Sequence, residues 1–281
     1  MAEILKSASR LGWSTKKQSA FGTPLVAADL TIYLALQDPL IVNEAAELYK
    51  NEGMIGTGHE WNTVRGVIKR KIDIDIPVQP MPIDFAGMLV CMLFGTHATT
   101  GAADYVHTAE WAAISSQADA KITSLAILEE GNNKLVQDIA VQSLTIRAEG
   151  SNRMEMGAKL LASKFGSNLT ITYPTATTPR YVWGSAGVFS IGSDIKTQLL
   201  SFELTLESGI DLGRAWEKAA TEALRVYPAS WPYSPAPTRG VKFSCKIRAE
   251  GGNIATYRAA QLAGTELDLD VSCLGIIISA A

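Results

Sequence analysis

The chain has 281 residues, of which 47% are hydrophobic and 19% charged, and its formal net charge is -3. That balance belongs to a globular chain long enough for one large domain, and it excludes a disordered one. The mildly acidic composition, with a sequence pI of about 5.7, also lacks the clustered cations needed to grip nucleic acid.

Residues 1–28 are polar and broken by Gly12, Gly22 and Pro24, which predicts an extended N-terminal arm. In "DLTIYLALQD", Leu30, Ile32, Leu34 and Leu36 share one phase of a two-residue period, the signature of a strand that Pro39 stops. From 39 to 62 no period is sustained. "NEAAELYKNEG" offers at most two helical turns, with Asn43 as cap and Gly53 as stop, inside a long loop. Loops of this length are usually functional or partner-binding. "TVRGVIKRKIDIDIPV" is the clearest strand. Ile68, Ile72, Ile74 and Ile76 lie on one face, and Lys69, Lys71, Asp73 and Asp75 on the other, as a sheet with one dry and one wet face requires.

"MPIDFAGMLVCMLFG" predicts a buried helix over 82–94. Pro82 and Asp84 suit its first turn, Gly95 suits the left-handed position after its last, and apolar residues lie nearly all round it. Residues 96–118 read as loop. Strands follow in "KITSLAILEE", "DIAVQSLTIRAEG", "MEMGAKLLASKF", "SNLTITYP", "LLSFELTLESG", "GVKFSCKIRAEGG" and "TELDLDVSCLGIII". Residues 209–240 form an excursion with a helical stretch at 213–225 and a proline-rich loop, and 255–263 suits one short helix. The sum is a mainly β chain, an antiparallel sandwich or barrel with one buried α-helix and long loops, in a single domain over 1–281.

The chemistry-bearing residues do not converge. His59, His97 and His107 lack metal-ligand spacing, and "GHEWN" is not HExxH because Thr63 stands at the second histidine position. "GMIGTG" does not open a helix after a strand, and "GSNRMEMGAKL" lacks the lysine and hydroxyl placement of a phosphate loop. Cys91, Cys245 and Cys273 form neither CxxC pair nor disulfide framework and fall in apolar settings, as small buried hydrophobes of a reducing compartment do. No catalytic, cofactor-binding or metal residues are nominated, and no cofactor is expected. The N-terminus "MAEILKSASRLGW" has no apolar core of signal-peptide length, and "IDFAGMLVCMLFG" is too short to span a bilayer. The expectation is a protein made and used in the cytoplasm, without membrane insertion.

Several short motifs, in order, resemble the tail tube (major tail) proteins of long-tailed bacteriophages. "KKQSAFGTPL" resembles that family's N-terminal stretch, "PIDFAGMLVCMLFGTHATTG" its helix and following loop, and "DYVHTAEW" its Tyr-x-His-Thr segment. "KITSLAILEEGNNKLVQDIAVQSLTIRAEG" is similar to its paired strands, and "SFELTLESGIDLG" to its later strand and polar turn. Ser208 stands where relatives often carry asparagine, and 213–240 is a longer excursion than theirs.

The resemblance implies a sandwich or barrel subunit of the tail tube type. Six copies form a ring whose inner strands close into one pore, and rings stack into a tube that passes the genome. It implies the virion tail as the location, after assembly in the host cytoplasm. The implied partners are further copies of the chain and other tail proteins such as tape measure, terminator and baseplate. DNA would be only a transient cargo. In relatives the arm and the long loop contact the next ring. Here Glu44, Glu47, Lys50, Glu52 and Trp61 supply the charges and aromatic anchor of such an interface. A lone β subunit leaves open edges that a ring of copies removes.

The wet phase of the long strands nominates Asp73, Asp75, Glu203, Glu207, Asp268 and Asp270 as lumen-facing residues, with acids outnumbering bases on a wall that DNA must not stick to. The competing reading is a soluble β-fold enzyme or ligand-binding domain with 40–62 as a lid. A membrane β-barrel fits least, because the strands lack aromatic girdles.

Overall fold

The computed structural model describes residues 10–14, 16–50, 54–55, 59–60, 65–101, 106–111, 119–128, 133–150, 152–170, 181, 187–191, 194–196, 199–216, 227–234, 239–247, 253–264 and 269–273. In chain order the strands are β1 (Arg10–Trp13), β2 (Ile32–Ala35), β3 (Ile41–Lys50), β4 (Met54–Ile55), β5 (His59–Glu60) and β6 (Arg65–Pro80). Helix α1 (Ile83–Phe94) precedes β7 (Gly95–Thr100), β8 (Val106–Trp111), β9 (Thr123–Ile127), β10 (Lys134–Glu149), β11 (Glu155–Ala162) and β12 (Lys164–Asn168). The chain continues through β13 (Gly187–Ile191), β14 (Asp194–Lys196), β15 (Leu199–Glu207), β16 (Gly240–Ile247), α2 (Asn253–Ala263) and β17 (Leu269–Cys273). The fold is mainly β, a curled antiparallel sheet forming a half-barrel, with two helices.

The ten-stranded main sheet turns on β10. The first half of β10 pairs with β9 and β12, and β9 continues through β1 to β2. Its second half pairs with β11 on one side and β15 on the other. From there the sheet runs through β6 to β3 at one edge and to β16 at the other. The order β3-β6-β11-β10-β15-β16 makes a six-stranded blade that is antiparallel throughout. Asp138, with φ 56, sits at the turn of the spine, where register also shifts against β9 and β11. Such irregularities bend a strand and re-aim its side chains.

The inner face is dry. Ile72, Ile74 and Ile76 of β6, Leu144 of β10 and Met156, Ala158 and Leu160 of β11 meet Phe85, Leu89, Met92 and Leu93 of α1 in one cluster. Those four α1 residues follow the helical repeat, so the helix buries one stripe; Ile83, Asp84 and Gly87 are exposed, which corrects the expectation of burial all round. Pro82 is the N-cap rather than the first helical residue. Gly95 closes the helix at φ 84, with its N–H on the Cys91 carbonyl. Glycine makes that backbone accessible without strain. At Gly157, any Cβ would lie 2.8 Å from Val78 Cγ2, so the β6–β11 approach excludes a side chain.

A second cluster, with Trp231, Tyr233, Ala215, Ala140 and Leu161, covers the opposite face near the elbow. It shows what the 209–240 excursion does: it roofs one end of the sheet. The helical stretch expected at 213–225 is a single 3-10 turn, Arg214–Trp216, within the described residues; 217–226 lie outside them.

Three expectations need correction. The arm holds a sheet strand at residues 10–13: β1 pairs with β2 and β9, Leu11 and Trp13 are fully buried, and the Trp13 ring packs 5.2 Å from Phe85. The loop expected over 39–62 contains β3, whose ten residues pair along β6 in place of the suggested helical turns. A deletion of 43–58 would therefore remove most of an edge strand rather than a dispensable loop. The loop expected over 96–118 holds the β7–β8 hairpin. By contrast, "MEMGAKLLASKF" is β as expected, and α2 occupies the helix expected over 255–263.

Candidate functional site

The outer face of the six-stranded blade carries Asp73, Asp75, Glu203 and Glu207 from among the charged residues nominated from sequence. Directly opposed residues of an antiparallel pair share a face, so the registers define rows. One row runs Ile41, Asp75, Lys159, Ser143, Glu207, Gly240 from β3 to β16. Another runs Glu155, Arg147, Glu203, Ser244. A third runs Glu149, Ser201, Lys246. Between the first two, Thr145 and Thr205 face each other with their hydroxyl oxygens 3.4 Å apart.

Charges alternate in sign along these rows. Lys71 Nζ lies 2.7 Å from Asp73 Oδ1, Lys242 Nζ lies 3.0 Å from Glu207 Oε1, and Arg147 Nη2 lies 3.3 Å from Glu149 Oε2. From β6 to β16 the face presents six acids (Asp73, Asp75, Glu149, Glu155, Glu203, Glu207) and six bases (Lys69, Lys71, Arg147, Lys159, Lys242, Lys246) among the described residues. Glu47, opposite Lys69 in the β3–β6 register, adds one more acid. Acids and bases are thus nearly equal in number on this face, because β11, β10 and β16 bring Lys159, Arg147, Lys242 and Lys246 beside the acids of β6 and β15.

Four of the six lumen candidates, Asp73, Asp75, Glu203 and Glu207, lie on this face. Asp270 is on β17 in a separate three-stranded sheet, opposite Ser190, and Asp268 falls outside the described residues. Of the loop candidates, Glu44 is exposed on β3, with a carboxylate oxygen 3.7 Å from Arg70 Nη1. Glu47 and Lys50 hold strand positions opposite Lys69 and Arg65. Glu52 and Trp61 fall outside the described residues.

Sequence reading missed the polar knot at the elbow. Asp138 is 1% exposed. Gln18 Nε2 and the Gly22 N–H donate to its Oδ1 at 2.7 Å each, and Ser163 Oγ donates to its Oδ2. Its own N–H donates to Gln18 Oε1 at 2.9 Å, and Trp231 Nε1 donates to its carbonyl at 2.6 Å. Ser124 Oγ donates to Gln18 Oε1 and accepts from the Leu25 N–H. Buried polar groups demand such partners. The knot fastens residues 16–25 to both sheet halves, so this stretch is part of the body of the fold. The only local hint was a polar Gln-Asp pair inside an apolar strand. A second buried amide, Gln79, accepts from the Gln37 and Asp38 N–H groups and pins the start of β3 to β6.

A hollow of about 590 Å³ lies where the excursion meets the outer face, lined by Gln142, Ser143, Lys159, Glu207, Asp211 and Ser234 among others. It is shallow, and its Glu207 is already engaged by Lys242. Cys91 and Cys245 are half-buried, and burial pushes both thiols up, toward the unreactive protonated form. Among the described residues no three His, Cys, Asp or Glu side chains gather as metal ligands, and no helix is long and apolar enough to cross a membrane.

No protein-family model matches the chain, and no curated protein matches it.

Proposed function

We propose that the chain is a virion structural protein: a subunit of six-membered rings that stack into the tail tube of a long-tailed bacteriophage, through which the genome passes. The observation that carries this reading is the six-stranded blade. It is dry on one face, carries closely balanced charges on the other, and ends on both sides in long strands without an outer neighbour among the described residues. Open edges of that kind favour pairing with another chain. Copies related by rotation would join blades into a closed wall, with the charged face toward the lumen. A wall whose cations are matched by carboxylates holds few free sites for phosphate and releases few counterions, so duplex DNA slides past it.

The partners are further copies of the chain, and other tail proteins such as tape measure, terminator and baseplate at the tube's ends and along its bore. No catalytic role or cofactor is part of this reading. The competing lid function for 40–62 is weakened because 41–50 is laddered to β6 over its whole length. The test is negative-stain microscopy of the purified full chain across a concentration series. Rings of six or tubes are the expected outcome; a chain that stays monomeric at high concentration overturns the proposal.

A further inference from the structure

The two outer strands of the blade, β3 and β16, are ten and eight residues long, and among the described residues each pairs only on its inner side. Natural sheets rarely leave such edges bare. Their sequences carry opposite charge. β16, "GVKFSCKI", has Lys242 and Lys246, both exposed, and no acid. β3 has Glu44 and Glu47 and no base before Lys50.

Strand direction adds a constraint. The blade alternates through six strands, an even number. A copy that continues the sheet by rotation therefore sets its β3 antiparallel to β16. We propose that β16 of one copy zips antiparallel onto β3 of the next, head to tail, and that edge charge selects this junction over pairing of like edges. The proposal rests on the tube reading above and names the seam within the ring.

Pairing β16 with its own copy about Ser244 would set Lys242 opposite Lys246 twice, and like charges directly opposed destabilise a ladder. Two copies of β3 would bring Glu44 and Glu47 twice to one junction that holds no base before Lys50. In the mixed junction, the register that sets Lys242 opposite Glu47 also sets Ser244 opposite Ala45 and Lys246 opposite Asn43 on the charged face. On the other face it sets Phe243 opposite Ala46, Cys245 opposite Glu44 and Ile247 opposite Val42, so that the one direct ion pair of the junction is Lys242 with Glu47. It also gives Val241, 61% exposed in the single chain, an apolar neighbour in Leu48. A head-to-tail contact does not close on two copies, so it builds rings or filaments.

Two variants of the full chain test the seam: Lys242→Glu with Lys246→Glu, and Glu44→Lys with Glu47→Lys. Each alone has two like-charged edges and is expected to lose assembly at least tenfold in sedimentation while keeping its circular dichroism. An equimolar mixture restores opposite edges at every junction and is expected to co-assemble. Assembly of both variants alone at the parent's concentration overturns the seam while leaving the tube reading standing; a monomeric parent overturns both.

Because Lys242 also pairs with Glu207 within the chain, a second measurement stands apart from the charges. Ala45→Cys with Ser244→Cys is expected to give a ladder of disulfide-linked multimers on a non-reducing gel, with the parent as control for native thiols. A linked dimer from Ser244→Cys alone would show like-edge pairing and overturn the proposal.

Discussion

The two halves of β10 share one backbone and live in different surroundings. From Leu135 to Val141 every residue is buried, polar Gln137 and Asp138 included, because β-structure and the excursion cover both faces. From Gln142 to Glu149 burial alternates, with Leu144 and Ala148 inside and Arg147 and Glu149 outside. The first half serves the integrity of the fold: its polar groups are satisfied internally and tie residues 16–25 and Trp231 to the spine. The second half offers one face to the core and the other, charged, to solvent. The difference teaches that a single strand can be wholly core in one half and half-exposed in the other when a bend moves one half out from under its cover.

That division can be broken or sharpened by substitution, starting with the largest effect. Leu89 is 1% exposed in the helix stripe that seals the dry face. Leu89→Asp is expected to abolish folding, since an unpaired carboxylate in an apolar site costs several kcal/mol against a total stability of about 5–15 kcal/mol. A soluble variant melting near the parent, by circular dichroism, would show that α1 does not seal this core.

Asp138→Ala removes the acceptor for the Gln18 amide, the Gly22 N–H and the Ser163 hydroxyl, and it places a side chain without a local polar contact at φ 56. A loss of about 3–4 kcal/mol in denaturant unfolding is expected. Asp138→Gly keeps the backbone relaxed and is expected to lose about 1 kcal/mol less, which separates strain from hydrogen bonding. Equal losses would place the whole effect in the carboxylate.

In the second half, Leu144→Ala on the dry side is expected to cost about 3 kcal/mol through the cavity it leaves. On the charged side, Glu203→Gln is expected to change stability by less than about 0.5 kcal/mol, because exposed charges in register contribute little. If Glu203→Gln proved as damaging as Leu144→Ala in the same unfolding experiment, the outer face would be core, and its reading as a wall would fail.

The sequence by itself determined what a short window can hold. Period two in "KIDIDI" and "SFELTLES" fixed which side chains of β6 and β15 face the core. Pro82 and Gly95 bounded α1, whose apolar run was visible as a helix of about the observed length. The candidate acids on β6 and β15 were legible for the same reason: they are the polar phase of a strand whose apolar phase is buried.

Tertiary structure decided the rest. "NEAAELYK" has helix-forming residues, yet it is strand, because laddering along β6 pairs its inward-facing backbone groups over the whole length, a partner that short-range propensity cannot see. β1 looked like an arm because four residues carry no readable period; its burial comes from β2 and β9, distant in sequence. The near-balance of charge on the outer face also belongs to no single strand. Asp75 meets Lys159, and Glu203 meets Arg147, only through the registers of β11 and β10. Pairing across the sheet is non-local, so the face that the blade presents became readable only once the chain had folded.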